Sequence, residues 1–171
     1  TTPWTLPGNV ALAVNPKMKY ICIPDHGKEN YWLVLGFENF KNLLKKGIFS
    51  GKYKERFQNN PKPWEGEDVD IFTGSEMMDI EYEPLFEFTK LKKPAFRVIP
   101  ADFISAEEGT GIVHIAPAFG EEDMEAGKEN NLPIILNVDE EGKFKLEVEK
   151  WAERFVKEAD PLILDDLKAR G

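Results

Sequence analysis

One histidine and one carboxylate, nine positions apart, are the groups of this sequence best placed to do chemistry together. They lie in Gly109-Thr110-Gly111-Ile112-Val113-His114-Ile115-Ala116-Pro117-Ala118-Phe119-Gly120-Glu121-Glu122-Asp123. The glycines ahead of the run permit a turn with positive φ, the β-branched Ile112 and Val113 suit a pleated strand, and Pro117 to Gly120 breaks it. His114 therefore stands near a strand end. Asp123 falls in the first turn of a helix running through Met124, Glu125 and Ala126, where the helix dipole favours an acid. Strand, loop and helix start thus aim an imidazole, which can exchange hydrogen bonds, and a carboxylate, which can pair with a cation, at a common rim. Each also has a plain structural reading, as a core histidine and a helix-capping acid.

The chain opens Thr1-Thr2-Pro3-Trp4-Thr5-Leu6-Pro7-Gly8-Asn9 and runs into the apolar Val10-Ala11-Leu12-Ala13-Val14-Asn15-Pro16. With the pattern G-T-G-x-V-H-x-A-P-x-x-G-x-x-D that ends on Asp123, this opening resembles the editing domain of isoleucyl-tRNA synthetases. Tyr82-Glu83-Pro84-Leu85-Phe86 matches a third segment, Y-E-P-L-F, so the resemblance spans nearly the whole chain. The valyl and leucyl relatives are less similar, having an acid where Trp4 stands, and their editing domains are the alternative reading. Many members carry a second His where Phe119 stands and an Asp pair where Glu122-Asp123 stands, so no role passes to Phe119 or Glu122.

Strand-dominated halves with helices added give an α+β class, and the resemblance implies a β-barrel-like editing domain with peripheral helices, 1–171 forming one such domain excised from a larger synthetase. It implies hydrolysis of valine mischarged onto tRNA(Ile), an ester cleavage at the 3′ end in which water attacks an already activated carbonyl. Thr2, His114 and Asp123 match the editing-site positions, with Asp123 suited to the α-ammonium. Thr1, Thr5 and Asn9 join them in substrate binding, the threonines offering hydroxyls on a strand. No metal or cofactor is implied for this domain, ATP and Mg serving the synthetic domain of the parent enzyme. The implied partners are the 3′-terminal aminoacyl-adenosine of tRNA(Ile) and the remaining synthetase domains, in a cytoplasmic monomer.

Composition bounds these readings. A chain of 171 residues with 42% hydrophobic content can bury one core. Its 22 Lys and Arg against 31 Asp and Glu, a net charge of -9, argue against an autonomous nucleic-acid surface built on phosphate neutralisation. Any tRNA affinity must then come mostly from other domains. No apolar run approaches the ~20 residues of a membrane span. The single cysteine, Cys22, alternates with Ile21 and Ile23 and reads as a buried apolar residue, and Cys22, His26 and His114 cannot supply a zinc site at sensible spacing.

Periodicity predicts strands at 9–14, 19–24 and 30–36, the last two joined by the turn Asp25-His26-Gly27-Lys28, with His26 a solvated turn residue. Apolar positions 37, 40, 43 and 44 form a helical stripe closed by Gly47. Residues 51–74 read as a polar excursion holding one short helix, with Trp64 pinning the loop. Further strands are predicted near 77–82, 95–99, 112–116, 134–138 and 143–148, and a helix from Asp160 to the terminal Gly171 with Pro161 near its start. Three other function classes stay open: a glycosidase-like carboxylate pair among Glu107, Glu108, Glu121, Glu122 and Asp123, a binding module using Trp4, Trp32 or Trp64 as platforms, and a docking domain for tRNA or a protein.

Overall fold

The computed structural model describes residues 2–25, 30–49, 52–59, 69–88 and 90–170. Thr1, His26 with most of its predicted turn, and Trp64 lie outside the described residues. The elements in chain order are β1 (Ala11–Val14), β2 (Lys19–Pro24), β3 (Trp32–Gly36), α1 (Phe37–Lys45), α2 (Lys52–Asn59), β4 (Asp70–Thr73), β5 (Arg97–Pro100), β6 (Ile112–Ile115), α3 (Glu121–Glu129) and α4 (Val156–Arg170). Two three-stranded sheets form, in the orders β5-β1-β6 and β3-β2-β4. The α+β class stands, but both sheets are open, so the barrel-like arrangement is not what the described strands make.

Two compact units divide the chain. The unit comprising Ala13–Met78 and Pro100–Val113 is built on β2, which pairs antiparallel with β3 and β4 and places Ile21 opposite both Leu35 and Ile71. Its core joins Ile21, Ile23 and Leu35 of the sheet to Phe40 and Leu44 of α1, because α1 repeats its apolar residues at helical spacing. Phe40 meets Phe57 of α2 edge to face at 5.0 Å between centroids. Strand β4 falls within the stretch predicted as a polar excursion. Its Asp-Ile-Phe-Thr is too short to announce itself, and pairing with β2 supplies the order that local sequence does not. Gly111, at φ +78°, lies where a side chain would meet Asn39 Oδ1 at 2.8 Å, so this unit delivers the chain into β6 through a position only glycine fills without strain.

The other unit comprises Thr1–Leu12, Asp79–Ile99 and His114–Gly171. Its core gathers Phe86, Phe144, Val148 and Trp151 against Val156, Ala159 and Ile163 of α4. Those three α4 residues recur at helical spacing, and this explains why α4 begins at Val156, ahead of the predicted start at Asp160. Burial of the first turn outweighs the preference for placing Pro161 at a helix start. The strands predicted over 134–138 and 143–148 reduce to isolated bridges between Val138 and Phe144 and between Lys143 and Phe155. Between them Asp139 Oδ1 accepts from the backbone N–H groups of Glu141 and Lys143, a side-chain turn that spends the chain length a hairpin would need. The strand predicted at 77–82 is likewise only a bridge from Glu81 to Arg97, preceded by a 3-10 turn over Gly74–Met77.

The opening segment departs most from expectation. The threonine-rich run predicted as a strand is a 3-10 helix over Pro3–Gly8. Thr2 is extended at its N-cap, Pro3 takes the first helical position, and Thr5 turns its hydroxyl back onto the Thr2 carbonyl. The helix lies against α4, where Trp4 N–H donates to Asp160 Oδ1 at 2.8 Å.

Candidate functional site

The unit that carries α4 also carries Thr2, Thr5, Asn9, His114 and Asp123. Thr5 lies at the centre. Its backbone N–H reaches the Thr2 carbonyl at 3.1 Å and its hydroxyl donates to the same oxygen at 2.8 Å. The hydroxyl also lies 3.1 Å from Nε2 of His114, on β6, so the opening segment and the distal motif meet across 109 residues of sequence. The meeting depends on main-chain pairing, since Val10 N–H donates to the Ile115 carbonyl at 2.9 Å and locks the end of the opening segment to β6. Thr2 has its backbone in this arrangement, while its own hydroxyl makes no hydrogen bond among the described residues.

His114 is half-buried, and its Nδ1 is fully buried with no hydrogen-bond partner among the described residues. Burial lowers its pKa from the ordinary imidazole value, and the negative charge of Asp123 opposes that shift. The ring is therefore neutral at pH 7, with one nitrogen a donor and the other an acceptor.

Asp123 stands in the first turn of α3, where three successive acids face the positive end of the helix dipole. It does more than face the dipole. Its Oδ2 accepts the backbone N–H of Ala116 at 2.9 Å, closing the loop that leads from β6 to α3. Oδ1 makes no bond among the described residues. Gly120 permits this closure, because a Cβ there would lie 3.1 Å from Asp123 Cγ.

Phe119, to which no role was carried, packs edge to face on Trp4 with centroids 4.9 Å apart. A side chain at Gly8 would meet the Phe119 ring at 2.7 Å, so glycine there makes room for the pair. Trp4 is thus an anchor within the fold, and its Nε1 is buried without a partner among the described residues. Trp32 is exposed on β3, in the other unit.

Asn9, expected to join in substrate binding, has its amide engaged within the fold. It is 8% exposed, its Nδ2 donates to the Ala11 carbonyl at 2.9 Å, and its Oδ1 accepts from the Tyr82 hydroxyl at 2.5 Å. Burial pushes the Tyr82 phenol well above its ordinary value, so it remains a donor at any physiological pH. Sequence reasoning gave Tyr82 no task, although the Y-E-P-L-F match flagged its segment. Nothing local connects it to a residue 73 positions away.

Of the acids considered for a carboxylate pair, Glu121 and Glu122 are exposed on α3, and Glu107 and Glu108 are exposed in the other unit. No group of three His, Cys, Asp or Glu side chains able to hold a metal occurs among the described residues. No described helix is long and apolar enough to cross a membrane. A small cleft lined by Pro7, Phe86, Phe88, Phe96, Ile135 and Asn137 includes none of Thr2, Thr5, His114 and Asp123, so shape alone would direct attention away from the chemistry.

The comparisons with known proteins agree along the whole chain. No family model matches. The isoleucine–tRNA ligase of Clostridium acetobutylicum is 44% identical over 171 residues, covering 100% of this chain and 14% of that protein. Those of Clostridium novyi and Pyrococcus horikoshii are 43% and 40% identical, again over 100% of this chain, which covers 14% and 15% of them. The chain thus spans about one seventh of these relatives. Among solved structures, GlLeuRS-CP1 aligns with a TM-score of 0.63 at 13% identity, over 99% of this chain and 78% of that one. The editing domain of the P. knowlesi cytosolic leucyl-tRNA synthetase aligns with a TM-score of 0.50 at 16% identity, over 76% of this chain and 48% of that one.

Proposed function

The chain belongs to the isoleucine–tRNA ligase family as a segment with the editing-domain fold, and from that premise we propose that it removes valine from mischarged tRNA(Ile) by hydrolysis. The observation that carries this reading is the connected set of Thr2, Thr5 and His114 beside a carboxylate with one oxygen free. Residues 1–171 act, on this proposal, as one editing domain within a larger cytoplasmic synthetase, whose other domains bind ATP and Mg and supply most of the tRNA affinity. The ligand is the 3′-terminal aminoacyl-adenosine.

The need for such a site is energetic. A hydrophobic pocket rejects a side chain one methylene smaller by only ~1 to 3 kcal/mol, the isoleucyl enzymes themselves being the worked example of this limit. A second site must therefore hydrolyse what the first admits. The ester is already activated, so no covalent nucleophile is required. The site has to hold the α-ammonium, orient water and the ribose, and stabilise charge on the tetrahedral oxygen. Asp123 Oδ1 holds the ammonium by a charge-assisted bond. The Thr2 hydroxyl, uncommitted among the described residues, serves the ribose or the water. His114 borders the amino-acid side chain and excludes the larger isoleucine.

The test measures deacylation of valyl- and isoleucyl-tRNA(Ile) side by side, by the chain and by a synthetase carrying it. Hydrolysis of the valyl ester with the isoleucyl ester spared is expected. Shortening His114 to Ala should open the site to isoleucine even if the valine rate falls. No valyl-tRNA hydrolysis by either protein would overturn the proposal, and an unchanged valine preference in the variant would remove His114 from the discriminating wall.

A further inference from the structure

The hydrogen-bond count around Thr5 fixes more than a contact. A threonine hydroxyl has one proton to give and lone pairs with which to accept. That proton points to the Thr2 carbonyl, the closer and better acceptor at 2.8 Å. The hydroxyl oxygen is then left to accept, and the group 3.1 Å away that can donate is Nε2–H of His114. The opposite assignment, with the hydroxyl donating to Nε2, would abandon the Thr2 bond. It would also leave His114 Nδ1 as a buried N–H with no acceptor, and orphaned buried N–H groups are rarer than under-used lone pairs.

From this we infer that Thr5 is a positioning residue that holds His114 as the Nε2–H tautomer, leaving Nδ1 as the ring's only acceptor. The Thr2 carbonyl, the Thr5 hydroxyl and Nε2–H form a directional chain running back from the ring into the 3-10 helix. That helix cannot rotate its hydroxyl freely, since Thr5 N–H is bonded to the same Thr2 oxygen. His114 consequently enters the hydrolysis assigned above, on which this role rests, with its donor spent inside the protein. Its remaining lone pair, on Nδ1, is buried in this structure, so a ligand ammonium, ribose hydroxyl or water reaches it only if the ring's surroundings open. The opening T-T-P-W-T motif is on this view the device that sets the chemistry of the distal histidine.

The sequence holds two histidines, so long-range 1H–15N spectra of this chain at pH 7.5, with His26→Asn for assignment, read the tautomer directly. The expected result is a protonated Nε2 and an unprotonated Nδ1 for His114. Thr5→Ser should keep that pattern, and Thr5→Val should shift it toward a mixture. In valyl-tRNA deacylation Thr5→Val should lower kcat by about tenfold or more with KM little changed, the scale of one lost hydrogen bond, and Thr5→Ser should restore most of it. A protonated Nδ1 in the unsubstituted chain overturns the inference, whether or not Thr5→Val folds. So do unchanged His114 signals in a folded Thr5→Val. If the unsubstituted protein does not deacylate valyl-tRNA, the hydrolytic reading fails, while the spectra still decide the tautomer.

Discussion

Asp123 has two carboxylate oxygens, one with a structural task and one to which we assign the ligand, and substitution can separate the two roles. Oδ2 holds the Ala116 N–H, and Oδ1 makes no bond among the described residues. Asp123→Ala should therefore do more than an exposed first-turn acid would. Leaving a half-buried N–H unpaired costs about 1–2 kcal/mol, against ~0.3–1 kcal/mol for a surface dipole interaction. Asp123→Asn keeps an oxygen for Ala116 and removes the charge. The expected outcome is a melting temperature within a degree or two of the parent for Asp123→Asn, a clear drop for Asp123→Ala, and loss of valyl-tRNA hydrolysis in both. Full activity in Asp123→Asn would show that no ammonium is held there by charge. His114 supports a second prediction. Its folded pKa lies below its unfolded one because burial penalises the imidazolium, so the unfolded chain binds a proton first as pH falls. Stability contributed by the neutral ring is complete above the ordinary value of about 6.5 and is lost as pH drops through the window below it. Urea titrations at pH 7.5 and 5.5 should show the parent losing more stability than His114→Gln. Equal losses would mean that the ring is not penalised by burial.

Among the elements, the 3-10 helix is held in place by packing as much as by hydrogen bonds. Its last residue, Gly8, admits the Phe119 ring, and Phe119 in turn braces Trp4 near the helix start. Gly8→Ala would place a methyl 2.7 Å from a ring carbon and force Phe119 to move. Overpacking of this kind costs ~1 to 3 kcal/mol, and the displaced ring would shift the helix that carries Thr5. We expect a lower urea midpoint and weaker editing in Gly8→Ala, with Phe119→Leu in the same background recovering much of the stability. Additive effects of the two substitutions would mean that the ring and the glycine are not coupled. The helix also illustrates why local reading failed here. Thr, Trp and Thr favour strands, but two prolines and a hydroxyl that back-bonds to Thr2 favour a tight turn, and burial against α4 decides between them.

For the whole molecule, charge sets what the chain can do by itself. A net charge of -9 offers few of the phosphate contacts from which tRNA affinity and its salt dependence arise. Free tRNA should bind this chain weakly at physiological salt, while a nonhydrolysable valyl-adenosine analogue, which needs only the local site, should bind measurably by calorimetry. Submicromolar, sequence-independent tRNA binding would contradict this and favour a docking module.

Sequence alone determined the parts whose cause is local. The G-T-G-x-V-H run gives β6 because β-branched residues follow a glycine turn, the stripe of α1 gives a helix, and acids collect in the first turn of α3. Its resemblance to a known family also put Thr1, Thr2, Thr5, Asn9, His114 and Asp123 in one expected site. Only the tertiary structure decided which of them touch. Nothing between positions 5 and 114 announces that one hydroxyl meets one imidazole, or that the Asn9 amide bonds the Ala11 carbonyl and the Tyr82 hydroxyl. Open sheets in place of a barrel, the strand β4 and the early start of α4 have the same origin. Strand pairing and the burial of a helix turn depend on partners far away in sequence, and their free energy exceeds the few tenths of a kcal/mol per residue in which local preferences differ.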